Sequence, residues 1–128
     1  MNPEDRKYSK EHEWARPEEE GVVRIGITQY AQEQLGDIVF LDLPKVGGTV
    51  GQTQKLGEVE SVKSVSDVFS PVSGEVLEVN QEVIERPELA NEDPYGKGWL
   101  LRVSLSKPGE MDELMTAAEY DSFLESLG

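Results

Sequence analysis

Lys63 is the side chain whose surroundings most restrict what chemistry it can do. Val59 and Val62 precede it and Val65 and Phe69 follow it, alternating with polar residues in the period of two expected of half-buried strands. The lysine therefore falls where a hairpin turns, and a primary amine at a hairpin tip is open to another protein. An exposed lysine by itself is an ordinary solvated charge. A second feature sets this one apart. Gly57-Glu58-Val59, on the way into the hairpin, recurs after Pro71 as Gly74-Glu75-Val76. Two similar strands predict a quasi-symmetric sandwich with Lys63 at one corner.

The other reactive residue types exclude more than they suggest. There is no cysteine, so no disulfide framework, zinc-thiolate site or catalytic thiol can form, and any redox sulfur has to be added from outside. His12 is the single histidine, which excludes a histidine-rich metal site; a lone imidazole is most often structural. The Asp and Glu residues, 26 in all, are too numerous for spacing to single out a catalytic pair. Gly47-Gly48 lacks the lysine and hydroxyl residue of a phosphate loop. A net charge of -14, from 12 basic against 26 acidic residues, argues against nucleic acid and anionic membrane as partners and favours basic docking surfaces. Neither a catalytic residue nor a metal ligand emerges, and the chain reads as a substrate and carrier, not an enzyme.

The elements that must position Lys63 follow from punctuation and period. The 128 residues suit one domain, 1–128, with a modest core. Residues 1–10 are polar and expected to be loose until Tyr8. Strands over 12–16 and 22–27 flank a connection at Pro17-Glu-Glu-Glu-Gly21. Thr28 can cap a short helix over 29–35 that Gly36 stops, with Ala31 and Leu35 on one face. Residues 37–43 are apolar on both faces, the mark of a central strand, and Pro44 ends it. Residues 80–87 read as a polar connection anchored by Val83 and Ile84. Asp93-Pro94-Tyr95-Gly96 has turn chemistry, and a strand resumes over 99–104. Thr116-Ala-Ala-Glu119 is a capping box opening a C-terminal helix whose Tyr120, Phe123, Leu124 and Leu127 should pack on the sheet. Trp14 and Trp99 are expected in the core or as groove wall.

Glu60-Ser-Val-Lys63-Ser-Val-Ser-Asp67, followed by Ser70-Pro-Val-Ser-Gly74-Glu-Val76, resembles the lipoylation region of the glycine cleavage system H proteins. The likeness runs through separated blocks in the family's order: His12-Glu13-Trp14, Gly26-Ile27-Thr28, Leu35-Gly-Asp-Ile-Val-Phe40, Leu43-Pro44, Asn91-Glu-Asp-Pro-Tyr-Gly96 and Gly98-Trp-Leu100. Two departures stand out: Ser64 follows the lysine where Ala or Thr is more usual, and Glu11 occupies a position where a small polar residue is common. A biotin carrier presents its lysine on the same kind of hairpin but usually between methionines, where this chain has Val62 and Ser64.

The resemblance implies a mainly β fold, the barrel-sandwich hybrid of lipoyl and biotinyl domains, built of short antiparallel strands with a short helix near 29–35 and a C-terminal helix. It implies lipoate in amide linkage on Lys63, with Glu60 and Gly74 at the positions by which that lysine is recognised for lipoylation. It implies partners as well: the P protein (glycine decarboxylase), which loads an aminomethyl group; the T protein (aminomethyltransferase), which removes the carbon; the L protein, which takes the electrons; and a lipoate ligase or lipoyl transferase. The family folds its loaded arm into an acidic cleft, and the matching positions are Glu13 and Asp67, carboxylates that would favour the charged amine. A relay of lipoate to other lipoyl enzymes is the alternative use. The expected carrier is a monomer. The start of the chain has neither an apolar run nor an Arg- and Ser-rich amphipathic pattern, so the expected location is the cytoplasm, or an organelle matrix after removal of a presequence.

Overall fold

In the computed structural model, which describes residues 2–127, the strands divide between two antiparallel sheets. In chain order the elements are β1 (Lys7–Tyr8), β2 (Glu13–Pro17), β3 (Val22–Ile27), α1 (Gln29–Leu35), β4 (Ile38–Asp42), β5 (Thr49–Val50), β6 (Lys55–Ser61), β7 (Val65–Phe69), β8 (Gly74–Val79), α2 (Gln81–Glu85), α3 (Leu89–Glu92), β9 (Leu101–Leu105), a 3-10 turn (Pro108–Glu113) and α4 (Ala117–Leu127). The larger sheet has the order β1-β2-β3-β9-β8-β5 and the smaller one β4-β6-β7. Val23, Ile25, Val76 and Val103 from the first face Leu41, Val59 and Val68 from the second across one buried cluster. The mainly β sandwich expected from the sequence is the fold the chain adopts.

The repeat is visible in three dimensions. Gly57 and Gly74 open equivalent stretches of β6 and β8, one in each sheet, and Val59 and Val76 are both fully buried. A Cβ on Gly57 would stand 2.1 Å from the Asp42 carbonyl oxygen, and one on Gly74 2.1 Å from that of Ser104. Both glycines are therefore set by close approach of a neighbouring strand. Gly74, which sequence alone also allows as a turn glycine, lies inside the ladder opposite Val50 and Leu105.

Helix ends behave as their sequences demand. Thr28 accepts from the Ala31 N–H at 3.2 Å, and the Gly36 N–H closes the other end of α1 on the Gln32 carbonyl. In α4 the Thr116 N–H donates to Glu119 while the Glu119 N–H donates to the Thr116 hydroxyl, the reciprocal capping box.

Five expectations are corrected. The N-terminal segment is not loose: Arg6 is buried, its guanidinium 4.5 Å from the Trp14 ring and donating to the Tyr95 carbonyl, and Tyr8 is fully buried in β1. Residues 38–42 are an edge strand, not a central one. A bulge between Ile38 and Phe40 breaks the alternation, so Ile38 and Leu41 point inward while Val39 and Phe40 are left exposed. Residues 81–85 form α2, because Asn80 caps Glu82 and Val83 is drawn fully into the core. Val62 and Val65, read as half-buried, are exposed, since the hairpin tip extends past the sandwich. The C-terminal helix packs at the β1–β2 corner, where Tyr120 stacks on Tyr8 at 4.8 Å, and Leu127 stays outside.

Candidate functional site

The Lys63 hairpin is a rigid tip. Val62, Lys63 and Ser64 form the loop between β6 and β7, and the Ser61 N–H donates to the Ser64 carbonyl at 2.8 Å. The Ser61 hydroxyl, itself buried, accepts from the N–H groups of Lys63 at 3.1 Å and Ser64 at 3.2 Å. The Val62 N–H donates to the Asp37 carbonyl, tying the loop to the approach of β4. The backbone of Lys63 is thus fixed while its side chain is exposed. Ser61 was legible only as a residue type that turns favour.

The lysine side chain leaves the tip across Gly36. This residue adopts φ 79° and ψ -158°, a region nearly restricted to glycine, and a Cβ there would lie 3.1 Å from Lys63 Cε. Asn91 holds the same junction: its Oδ1 accepts from the Ile38 N–H, and its Nδ2 donates to the Gly36 carbonyl and to Gln32. That clamp joins residues more than 50 positions apart, and no local pattern announces it.

A cleft of about 200 Å³ opens between α1 and the β6–β7 hairpin. Tyr30, Ala31 and Leu35 form one wall, Val59, Ser66 and Val68 the other, and His12 and Glu13 line it from the β1–β2 turn. His12 sits at φ 71°, a left-handed conformation held by tilted packing on Tyr30 at 4.6 Å and by a 2.7 Å hydrogen bond between Nδ1 and the Tyr120 hydroxyl. Burial lowers its pKa, so the ring is neutral near pH 7. The Tyr120 hydroxyl also meets the Thr28 hydroxyl at 2.8 Å. Through that oxygen α4 fixes both His12 and the start of α1.

Glu13 is 3% exposed. Its Oε1 accepts from the Ser9 hydroxyl at 2.7 Å and its Oε2 from the Phe69 N–H at 3.3 Å. Burial outweighs both bonds and pushes its pKa up to about 8. The carboxyl is therefore mostly protonated at neutral pH, and no described cation pairs with it. A second cleft, of about 260 Å³, meets Glu13 from the side of Ser9, Thr53 and Pro71.

Asp67 stands differently. It lines the rim of the first cleft, but its carboxylate lies 3.3 Å from Lys55 Nζ, which also holds Glu58 at 2.6 Å. Glu60 is exposed beside the tip, between Phe40 and Val65 in neighbouring strands. Gly74 lies in the other sheet. The structure therefore sets Lys63 against Gly36, next to Leu35 at the cleft wall, places Glu13 in the cleft lining, turns Asp67 toward Lys55, and keeps Glu60 and Gly74 apart. Among the described residues no cluster of histidine and acidic side chains could hold a metal ion, and no helix is long and apolar enough to cross a membrane.

Comparison with known proteins covers nearly the whole chain. Residues 6–127 match the family model described as glycine cleavage H-protein. The glycine cleavage system H protein of Symbiobacterium thermophilum is 56% identical over 121 residues, covering 94% of both chains. That of Carboxydothermus hydrogenoformans is 52% identical over 126 residues, covering 98% of this chain and 96% of the relative. The crystal structure of the H protein from Mycobacterium marinum superposes with a TM-score of 0.89 at 44% identity, covering 97% of this chain and 99% of that one. These matches span both sheets, the Lys63 hairpin and the cleft, and the chain belongs to the glycine cleavage H-protein family.

Proposed function

We propose that Lys63 carries lipoate in amide linkage and that this chain is the carrier of a glycine cleavage system, a single domain that is itself a substrate and not an enzyme. The observation that carries the reading is an exposed amine on a fixed hairpin tip, its side chain crossing Gly36 beside Leu35, which lines a cleft that also holds a buried carboxyl. The residues fit the group. Gly36 leaves room for the root of the arm where any side chain would meet Lys63, and lysine plus lipoate spans on the order of 14 Å, enough to enter the cleft or a partner's active site. Held there, lipoate would supply a disulfide and dithiol couple, the chemistry by which an aminomethyl group and two electrons could be carried between the P, T and L proteins.

The chain's own residues perform the holding. Ser61 and Gly36 orient the root, and Tyr30, Ala31 and Val59 supply apolar walls that exclude water. Glu13 offers a carboxyl to an amine, and Asp67 adds charge at the rim. Glu60 and Gly74 serve the attachment of lipoate by different routes. Glu60 is exposed to the attaching enzyme, while Gly74 lets β8 and β9 close and so keeps the sandwich in register. Tethering replaces diffusion by a high effective concentration. The carrier would work in the cytoplasm, as a monomer.

The test is direct. Purified chain is incubated with lipoate ligase, lipoate and ATP, and the product is read by intact mass and peptide mapping. One lipoyl group on Lys63 is expected, and none on Lys63→Arg, whose guanidinium forms no such amide. Modification of another of the seven lysines, or of none, would overturn the reading.

A further inference from the structure

Register across the small sheet builds a second surface beside Lys63, on the face turned away from the core. Phe40, Glu60 and Val65 lie side by side across β4, β6 and β7, and Asp42, Glu58 and Asp67 form the next row on the same face. The two rows are about 7 Å apart along the strands. Phe40 is 54% and Val65 59% exposed, and Val39 and Val62 are exposed next to them, so most of the large apolar side chains left in water among the described residues gather here. The surface is also acidic: of the carboxylates of Asp42, Glu58, Glu60 and Asp67, only Glu58 and Asp67 meet an ammonium, that of Lys55. An apolar patch of this kind in a chain otherwise covered with charge marks an interaction site.

We propose that this face is the docking surface for the enzyme that acylates Lys63, a partner whose own surface is apolar at its centre and basic at its rim. The inference rests on Lys63 being the acylated residue. Reach selects this occupant. A bare lysine extends only about 6 Å from its backbone, so an enzyme that brings an activated acyl group to Nζ has to cover the hairpin tip and what adjoins it. Partners that act later meet an arm more than twice as long and can stand further off. In the acylation, unprotonated Lys63 Nζ attacks the acyl carbon of an activated carboxyl. The C–N bond forms, the bond to the leaving group breaks with its electron pair, and the amine proton passes to that group or to solvent. Charge complementarity orients the approach through the Asp42, Glu58 and Asp67 row, and burial of Phe40 and Val65 on either side of Glu60 supplies affinity.

The experiment measures initial rates of a purified lipoate ligase, with lipoate and ATP, on the unvaried chain and on Phe40→Ser, Asp42→Lys and Glu75→Lys. Glu75 is exposed on the larger sheet and makes the same change in net charge away from the tip. At low salt KM should rise about fivefold or more for Phe40→Ser and for Asp42→Lys, with kcat unchanged and Glu75→Lys close to the parent. At about 1 M salt, where the Debye length falls to about 3 Å, the Asp42→Lys defect should shrink while that of Phe40→Ser persists. Thermal melts confirm folding, and Asp42→Asn should give a smaller shift of the same sign. Equal KM for Asp42→Lys, Phe40→Ser and Glu75→Lys overturns the docking face while leaving Lys63 as the acylated residue. A parent that sediments as a dimer and becomes a monomer on Phe40→Ser overturns it in favour of a contact between two copies. Failure of the parent to take any acyl group on Lys63 removes the carrier reading, and this proposal with it.

Discussion

Replacing Glu13 by Gln should make the protein's stability depend less on pH. In the unfolded chain this carboxyl ionises near 4.5, whereas burial in the fold pushes its pKa up to about 8. Between those values the folded protein keeps a proton that the unfolded chain has lost, so raising the pH favours unfolding. A shift from 4.5 to about 8 corresponds to about 4–5 kcal/mol, lost progressively across that window and fully lost above it. The neutral acid suits its site: one oxygen accepts from the Ser9 hydroxyl, the other from the Phe69 N–H, and no cation among the described residues would offset a charge there. Glutamine has the same shape and no charge. The assay is urea unfolding from pH 4 to 9, followed by tryptophan fluorescence, with the quantity of interest being the variant's stability minus the parent's. That difference should climb by about 1.4 kcal/mol per pH unit inside the window and level off beyond it. His12, whose lowered pKa acts with the opposite sign, cancels in the subtraction. Parallel stability curves for the two proteins would refute the argument, since Glu13 would then titrate alike in both states.

Two further outcomes are expected. Gly57→Ala and Gly74→Ala each force a methyl group to within 2.1 Å of a backbone carbonyl oxygen, so each should lose about 1–3 kcal/mol in urea unfolding; an unchanged midpoint at Gly74 would return it to a role in recognition alone. Thr116→Ala removes half of the capping box and should cost about 1 kcal/mol, seen as faster amide exchange in α4, with little change in β3 or β9.

What could be read in advance was what lies within a few residues of its cause. The exposed lysine follows from alternation on either side of it, the bounds of α1 from Thr28 and Gly36, and the start of α4 from Thr116 and Glu119. Other parts depend on partners far away in sequence. Arg6 is ordered by Trp14 and Tyr95, Asn91 clamps Gly36 to Ile38, and Tyr120 joins α4 to His12 and Thr28. Apart from Arg6 and Trp14, which the short β1–β2 hairpin brings together, none of these pairs has a spacing that a helix or hairpin would impose. Asp67 shows the intermediate case. Its place on β7 was legible, but the direction of its carboxylate was decided by Lys55, which the register of β6 against β7 brings alongside.

Many of the places where local rules fail lie around Lys63, although Thr53 also holds a left-handed backbone at the second cleft. His12 holds a left-handed backbone without being glycine, Gly36 adopts a conformation that a side chain would not tolerate, a bulge leaves Phe40 in water, and Val62 and Val65 stand exposed on a strand hairpin. These lie near Lys63 or line the neighbouring cleft, whereas β9 keeps to alternating burial; β8 carries a bulge of its own, between Val76 and Glu78. A strained or solvent-exposed apolar residue persists only when the rest of the fold over-determines it. Here the larger sheet, the aromatic stack of Tyr8 and Tyr120, and the arginine network of Arg16, Arg24 and Arg102 around Glu18 provide that excess. The smaller sheet can then carry an edge strand, a protruding tip and an acidic, apolar face, each poor for stability and each adjoining Lys63.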